Sequence, residues 1–300
     1  MRFSLRQLHI FEAVARHLSY TRAAEELHLT QPAVFTQVKQ LEQSVGLPLL
    51  ERIGKQIHLT EAGREVLATC RETKSGLDRL EMLLADMQGL KRGRLRVAMV
   101  TTAKYLIPRL LGEFCVKFPG IEASLTVTNR EKLLARIADN EDDLAILGTP
   151  PVGMDVVATP IAENPLVVIA RNDHPLAGKR KISLQRLAEE PFILREPGSG
   201  TRLATERFFA EHHLALRVRM ELGSNEAIKQ AIAGGLGVSV LSRHTLTLEG
   251  SGGILLPLDV SGFPLKRKWY VAYPKDKHLS AVARAFLDHL LGDTLVQGIR

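Results

Sequence analysis

The feature that most constrains the fold of this chain is a change of pattern along its length. Up to about Leu59, apolar residues recur at helical spacing in short units, and from Thr60 to Leu90 they form one long helical pattern. From Arg94 onward, short β-rich runs alternate with helical runs. The charged, glycine-containing segment 91–94 is where we expect the long helix to end. The sequence therefore predicts three parts: a domain at 1–59, a linker helix at 60–92 and a domain at 93–300.

The first part has the pattern of a helix-turn-helix. Ser4, with Gln7 three residues later, predicts a capping box that opens the first helix. A second helix is expected over 20–27, and Thr30 is expected to cap a third helix that reaches about Val45. Two short helices, a tight turn and a third helix are typical of this DNA-binding motif.

The third helix carries a polar outer face that suits base edges and phosphates in a major groove. Around Gly54 we expect a short β-hairpin, a wing whose basic tip points toward a phosphate backbone. The candidate DNA-binding residues of the helix and the wing are Thr30, Gln31, Pro32, Thr36, Gln37, Lys39, Gln40, Arg52 and Lys55. The alternative is the solvated surface of an ordinary helical bundle. The chain has a net charge of +7, which suits an anionic partner such as nucleic acid without requiring one.

The long helical segment contains a heptad seam. The residues of the seam, separated by alternate steps of four and three, are Val66, Cys70, Thr73, Leu77, Leu80, Leu84 and Met87. A helix alone in water would expose this seam, whereas a second copy would cover it. A two-fold dimer would present two recognition helices to an inverted repeat in DNA. The alternative is that the seam packs on its own chain.

The third part alternates strands and helices, which indicates an α/β sheet that binds its ligand at the carboxyl ends of the strands. Strands are expected at 95–100, 123–128, 144–147, 166–170, 192–194, 238–241 and 269–272. The candidate effector-binding residues follow these strands and are Thr101, Thr102, Lys104, Asn129, Gly148, Thr149, Arg195, Gly198, Ser199, Thr201 and Arg202. The loop at 198–201 opens a helix whose N–H groups favour an anion, so a small phosphorylated or carboxylated ligand is expected. The alternative is that these residues are caps and turn formers on a solvated surface.

The sequence motifs of common enzyme classes do not occur in this chain. HExxH and GxSxG are absent, and the loop at Gly198 lacks the Gly-Lys-Ser/Thr ending of a P-loop. The glycines at 234–237 follow a helix and precede a strand, the reverse of a dinucleotide fingerprint. His212 and His213 are adjacent on a helix, so they point apart and cannot hold one metal. We therefore expect no enzyme activity, no catalytic residue, no metal and no cofactor.

Charges near the N-terminus, and the lack of any apolar run long enough to cross a bilayer, argue against a signal peptide and a membrane span. Cys70 and Cys115 lack the spacing of a metal or redox pair and fit a reducing compartment. These features predict a cytoplasmic protein with no membrane partner.

Several sequence blocks of the first part resemble LysR-type transcriptional regulators. The blocks are Leu8-His9-Ile10-Phe11, Ala23-Ala24-Glu25-Glu26-Leu27, Thr30-Gln31-Pro32-Ala33-Val34, Gln40-Leu41-Glu42, Gly46-Leu47-Pro48-Leu49 and Leu59-Thr60-Glu61-Ala62-Gly63. The resemblance implies a winged helix-turn-helix, a dimerising linker helix and an α/β effector domain with the fold of periplasmic binding proteins. Its two subdomains are then expected at about 93–162 with 268–300, and at about 163–267. Phe35, where such regulators commonly have Ser, and Thr36, where a long basic residue is frequent, depart from the pattern.

Further blocks resemble the subgroup of this family that controls the Calvin cycle (RuBisCO, carbon-fixation) operons. These blocks are Thr101-Thr102-Ala103-Lys104-Tyr105, Asn129-Arg130, residues 140–148, Pro150-Pro151 and residues 241–246. The resemblance implies an activator that binds double-stranded operator DNA as a homodimer or homotetramer, with RNA polymerase as a partner. It implies ribulose bisphosphate, phosphoenolpyruvate or NADPH as the effector. The alternatives are a LysR-type regulator of another metabolic operon, a solute-binding protein, or an architectural DNA-binding protein without an effector.

Overall fold

The computed structural model describes residues 3–54, 56–87, 92–246 and 253–292. It divides into two compact units, Met1–Glu81 and Met82–Arg300, which we describe separately.

The first unit contains the predicted helix-turn-helix and wing. Its elements are α1 (Leu5–His17), α2 (Tyr20–Glu26), α3 (Gln31–Val45), β1 (Leu50–Ile53), β2 (Gln56–Leu59) and the start of α4 (Glu61–Met87). The capping box is confirmed, since the Ser4 side chain accepts from the Gln7 N–H and the Gln7 side chain accepts from the Ser4 N–H. Thr30 caps α3 as predicted. The two wing strands pair antiparallel on either side of Gly54, while Lys55 lies outside the described residues.

The core of the first unit lies where α1, α2 and α3 cross. Ala23 is fully buried and, having only a methyl group, lets α2 approach its neighbours closely. Val34, Val38 and Leu41 supply the buried side of α3, each fully buried. Burying the apolar stripe on this side leaves the opposite side of α3 exposed to solvent.

The heptad seam of α4 has two different environments. Val66 and Cys70 pack against the core of the first unit, and the Cys70 thiol donates to the Leu8 carbonyl at 3.6 Å. Packing on the same chain, the alternative considered above, therefore accounts for the start of the seam. The leucines at 77, 80 and 84 are 46%, 52% and 52% exposed, and the side chain of Met87 lies outside the described part of the chain.

The second unit consists of two α/β subdomains. Subdomain I has a five-stranded sheet in the order β4-β3-β5-β12-β6, in which β3, β4 and β5 are parallel and β12 is antiparallel to both its neighbours. Its elements are β3 (Gly93–Val100), α5 (Ile107–Lys117), β4 (Ile121–Thr128), α6 (Arg130–Ala138), β5 (Leu144–Leu147), β6 (Val156–Glu163), β12 (Lys268–Pro274) and α10 (Ala281–Gly292). Trp269 on β12 is fully buried in its core.

Subdomain II is built around the central strand β7, which pairs antiparallel with β10 and β11. Its elements are β7 (Leu166–Arg171), α7 (Leu184–Ala188), β8 (Pro191–Arg195), α8 (Gly200–Glu211), β9 (Arg217–Leu222), α9 (Asn225–Ala233), β10 (Ser239–Ser242) and β11 (Leu255–Pro257). The parallel pair β8 and β9 joins this sheet through a bridge between Phe192 and Val238. All seven predicted strands are confirmed.

The chain crosses between the subdomains twice, and the two crossings are hydrogen-bonded to each other. Leu166 and Leu265 exchange two backbone hydrogen bonds of 3.0 and 2.9 Å, and the Asn164 N–H donates to the Arg267 carbonyl at 2.6 Å. Two paired segments of this kind form a hinge about which subdomains I and II can rotate.

Candidate DNA-binding face and effector cleft

The predicted DNA-binding residues lie on the exposed side of α3 and on the wing. Those that are described are exposed, apart from the half-buried Gln37. The Thr36 hydroxyl donates to the Pro32 carbonyl at 2.9 Å, and the Arg52 Nε donates to the Gly54 carbonyl at 3.2 Å. These contacts order the surface without burying it, and direct contact of each residue with DNA stays a prediction.

A buried carboxylate fixes this face to the wing. Glu42 on α3 accepts the backbone N–H groups of Leu49 and Leu50 at 2.8 and 3.2 Å, and Lys39 Nζ lies 2.7 Å from its other oxygen. Burial opposes ionisation of Glu42, but the hydrogen bonds from Lys39 and the two amides outweigh it and lower the pKa of the carboxyl. The charged side chain therefore holds the start of the wing against α3.

In the second unit, a narrow cleft lies between the two subdomains. Its lining residues are Val100, Thr101, Thr102, Asn129, Arg130, Gly148, Asn164, Arg195, Ser199, Gly200, Thr201 and Arg267. The free space in this partly open cleft is about 20 Å³, which is about the space that one water molecule needs. A metabolite is larger than this space, so we expect the subdomains to move apart when one binds.

Two guanidinium groups in the cleft have only uncharged partners among the described residues. Arg267 donates to the Gly200 carbonyl at 3.1 Å and to the Thr149 hydroxyl at 2.7 Å. Arg130 donates to the carbonyls of Thr149 and Pro150. Burial, and secondly the charge of Arg130, lower the pKa of Arg267 to about 10, and burial also lowers the pKa of Arg130. Two desolvated guanidinium groups, one of which lowers the pKa of the other through its charge, would be stabilised by an anion between them.

The absence of a side chain at Gly148 leaves room for Arg267 at the end of β5. A Cβ atom at Gly148 would lie 2.9 Å from Arg267 Nη2, closer than real Cβ contacts allow. Gly148 is among the predicted site residues because it follows a predicted strand. In the structure it leaves room for the guanidinium of Arg267, which is not among the predicted site residues.

The basic residues that were predicted to attract an anion are instead paired with carboxylates. The buried Arg195 makes two hydrogen bonds of 2.7 and 2.8 Å to Glu196, and a third of 2.7 Å to Asn225. Lys104 Nζ lies 3.5 Å from Glu226. These two side chains therefore hold neighbouring residues in place, and their carboxylate partners cancel most of the positive charge that they bring.

Arg202 is also neutralised, because its guanidinium contacts Glu206 at 2.8 Å and Glu221 at 2.7 Å. It lies with Gly198 in a neighbouring groove between α6 and α8. Gly198 has φ +80°, and a Cβ atom there would collide with the Glu131 carboxylate. The Glu131 N–H donates to the Gly198 carbonyl at 3.2 Å, so this glycine permits a direct contact between the subdomains.

The start of α8 lines the cleft with uncharged residues. Ser199 precedes the helix, Gly200 and Thr201 form its first turn, and the side chains of Ser199 and Thr201 are buried. The first N–H groups of a helix lack intrahelical acceptors and carry the positive end of its dipole. Opposite them, the Thr102 hydroxyl accepts a hydrogen bond from the indole of Trp269 at 3.3 Å.

The structure therefore brings together most of the predicted effector-binding residues. Those that line the cleft are Thr101, Thr102, Asn129, Gly148, Arg195, Ser199 and Thr201, with Thr149 beside it through its bond to Arg267. Lys104, Gly198 and Arg202 do not line it. The cleft is also lined by residues that are not in the predicted set, namely Val100, Arg130, Asn164, Gly200 and Arg267. A role for any of them in binding an effector stays a prediction.

A second set of contacts joins the subdomains outside the lining of the cleft. Tyr105 follows β3 in subdomain I, and its hydroxyl donates to Glu226 at the start of α9. Lys229 Nζ lies 2.9 Å from the same carboxylate. Burial opposes ionisation of Glu226, but these hydrogen bonds prevail and lower its pKa. The charged carboxylate therefore helps to hold the subdomains closed.

Within the described residues, no three His, Cys, Asp or Glu side chains are grouped so that they could bind a metal ion. None of the described helices combines the length and the apolar character needed to cross a membrane.

Comparison with known families identifies both parts of the chain. Residues 5–64 match the family described as "Bacterial regulatory helix-turn-helix protein, lysR family", and residues 88–294 match "LysR substrate binding domain". The chain belongs to the LysR family. The resemblance drawn from the sequence is thereby confirmed, together with the predicted winged helix-turn-helix and the α/β effector domain.

Two curated relatives of this LysR-family chain are similar over nearly their whole length. The "HTH-type transcriptional activator CmpR" of Synechocystis sp. is 55% identical over 96% of this chain and 94% of the relative. A "RuBisCO operon transcriptional regulator" of Acidithiobacillus ferrooxidans is 54% identical over 96% and 93%. Among solved structures, the regulatory domain of Synechocystis CcmR in complex with 2-PG (2-phosphoglycolate) is 58% identical, with a TM-score of 0.66. That match covers 67% of this chain and 97% of the CcmR domain.

Proposed function

We propose that this chain is a cytoplasmic transcriptional regulator of carbon-fixation (RuBisCO) operons that responds to a small phosphorylated anion in the cleft between its subdomains. The choice of ligand rests on one observation. The guanidinium groups of Arg130 and Arg267 contact only uncharged partners in the described part of the chain. The identity of 54–55% to a CO₂-fixation operon regulator and to CmpR supports the target genes.

A small effector fits the cleft better than a large one. The enclosed volume of about 20 Å³ must grow before any metabolite is bound, and each increase breaks contacts between the subdomains. Ribulose bisphosphate, phosphoenolpyruvate or the 2-PG bound by the CcmR domain requires less opening than the dinucleotide NADPH. A phosphate can accept from two guanidinium groups and from helix N–H groups at once.

In the proposed mechanism the ligand replaces protein partners of Arg267. An oxyanion between the two guanidinium groups would take the place of the Thr149 hydroxyl and the Gly200 carbonyl, which now bridge the cleft. The subdomains would then rotate about the paired crossings at Asn164 and Arg267. The free energy available to rearrange the protein on DNA is limited to the difference in ligand affinity between the two arrangements.

The proposed partners are double-stranded operator DNA, a second copy of the chain and RNA polymerase. The exposed leucines at 77, 80 and 84 support a homodimer, because pairing with an identical helix would cover them. A homotetramer of two such dimers would occupy two adjacent inverted repeats. The chain acts in this proposal as an activator, without enzyme activity and without a resident cofactor.

Transcription in vitro tests the proposal. Purified protein and RNA polymerase are added to the RuBisCO operon promoter of the source genome, with 2-PG, ribulose bisphosphate, phosphoenolpyruvate or NADPH. The expected result is activation that depends on the protein and changes severalfold with one of these anions. Transcription that none of them changes would overturn the proposed effector class. Transcription that the protein itself does not change would overturn the proposed target.

A further inference from the structure

The exposed face of the recognition helix α3 contains one large apolar side chain that the proposed function does not use. Phe35 is 46% exposed, whereas Val34, Val38 and Leu41 on the same helix are fully buried. It lies four residues after Gln31 and four before Lys39, so these three side chains form one row along the helix. Phe35 therefore sits among the polar residues predicted to contact DNA.

The ring of Phe35 is held in place by its neighbours. Tyr20 packs edge-on against it, with the ring centroids 5.4 Å apart and the planes at 61°. Lys39 Nζ lies 5.7 Å from the ring centroid while it is paired with Glu42 at 2.7 Å. Burial, helped by the Glu42 charge, raises the pKa of Tyr20 to about 12, so its phenol is neutral at physiological pH. The ring is thus positioned in advance, which lowers the entropy lost when it makes a further contact.

A benzene ring in the major groove can distinguish bases in one way. It neither donates to nor accepts from base edges, and contact with the amino groups of cytosine or adenine would desolvate them without a partner. Among the base pairs, only those that contain thymine present a methyl group in this groove, and phenylalanine is one of the side chains that contact it.

We propose that Phe35 determines operator specificity by packing on the 5-methyl group of one thymine in each half-site. The proposal rests on operator binding by α3, as stated under the proposed function. Phe35 lies near the start of the recognition helix, where side chains reach base edges in helix-turn-helix complexes. The neighbouring polar side chains, Gln31 and Thr36 among them, would then fix the register of the helix on the adjacent bases and phosphates.

The test removes single methyl groups from DNA. The full-length protein first selects its preferred sites from a random DNA library. Each thymine of the selected site is then replaced by deoxyuridine, which keeps base pairing and loses only the methyl group. Wild-type protein is expected to bind about fourfold more weakly for each contacted methyl that is lost, since burial of one such group contributes about 0.8 kcal/mol.

Four variants separate the contact from a structural effect. Phe35→Ser is expected to bind thymine and deoxyuridine sites equally, and Phe35→Leu to retain part of the preference. Tyr20→Phe keeps the packed ring and should keep the preference. Leu18→Ser is the matched control, because Leu18 is an equally exposed (45%) apolar residue of the same unit that lies outside α3. Far-UV circular dichroism confirms that each variant is folded.

The outcomes are distinct. A thymine whose deoxyuridine replacement weakens wild-type, Tyr20→Phe and Leu18→Ser protein, but not Phe35→Ser, supports the assignment. A site at which no replacement weakens the wild type, or at which Phe35→Ser is weakened equally, overturns it and leaves the proposed regulator intact. Failure to select any DNA sequence would contradict operator binding itself.

Discussion

Replacement of Arg267 by glutamine should separate effector binding from stability. Burial, with a second contribution from the charge of Arg130, lowers the pKa of Arg267 to about 10. At about 1.4 kcal/mol for each pKa unit, holding this guanidinium charged in the folded protein costs about 3 kcal/mol. Below pH 10 the group is charged in both the folded and the unfolded chain, so this cost is fully present at physiological pH and disappears when the group is neutral.

The two hydrogen bonds that Arg267 makes to Thr149 and Gly200 oppose this gain. A bond from a charged donor contributes about 1.5 kcal/mol, so losing both of them offsets the relief of about 3 kcal/mol. The free energy of unfolding of Arg267→Gln should therefore lie within about 1 kcal/mol of the wild-type value. Affinity for a phosphorylated effector should fall by about 2 kcal/mol, or about thirtyfold in Kd, since a charge-assisted contact to the anion is lost.

The assay combines two titrations of the full-length protein. Isothermal titration with 2-PG and with ribulose bisphosphate gives the effector affinity. Urea unfolding followed by the fluorescence of Trp269, the single tryptophan of the chain and buried in subdomain I, gives the stability of the second unit. Arg207→Gln is the control, because Arg207 is 76% exposed on α8 and, among the described residues, pairs only with Glu211. Unchanged affinity in Arg267→Gln, or a loss of 3 kcal/mol or more in stability, would refute the reasoning.

Three further predictions concern the first unit and the long helix. Glu42→Ala leaves the buried Leu49 N–H without its acceptor, so amide exchange at Leu49 should accelerate about a hundredfold, which corresponds to about 3 kcal/mol. Because the pKa of Glu42 is lowered from its ordinary value of 4.5, the wild-type protection should be fully present above pH 4.5 and be lost only as the pH falls through the lowered pKa. Leu80→Lys should weaken self-association at least tenfold in sedimentation equilibrium, and an unchanged dimer would exclude this side chain from the interface. Arg52→Ala should lower the slope of the logarithm of the operator-binding constant against the logarithm of salt concentration by about one, the contribution of one phosphate contact. Its affinity for 2-PG should equal that of the wild type.

Local signals in the sequence were sufficient to predict the first unit. Capping by Ser4 and Thr30 depends on residues two or three positions away, and both caps are present in the structure. The same is true of the seven predicted strands, which are short apolar runs between turn residues. Strand β6 is not predicted because Pro160 interrupts it, and β9 because its residues are mostly exposed on a sheet edge. β6 lacks an unbroken apolar run, and β9 alternates charged and apolar residues but remains mostly exposed, so its alternation does not lead to burial.

The cleft could be predicted only in part, for a physical reason. Residues that follow parallel strands meet at one edge of the sheet, so Thr101, Asn129 and Gly148 could be placed together from sequence. Asn164 and Arg267 enter the cleft because the chain crosses there between subdomains, and that long-range geometry leaves no local pattern. Arg195 was expected to offer its charge to a ligand, but Glu196 beside it takes up two of its donors.

The most direct test of the central claim, that an anion in the cleft changes how the protein sits on DNA, is a footprint. Wild-type protein and Arg267→Gln are placed on the DNA upstream of the RuBisCO operon, with and without each of 2-PG, ribulose bisphosphate, phosphoenolpyruvate and NADPH. We predict that both proteins protect the same inverted repeat, and that one anion shifts the flanking pattern of the wild type but not of Arg267→Gln. A wild-type pattern that none of the anions alters, or an equal shift in the variant, would contradict the account.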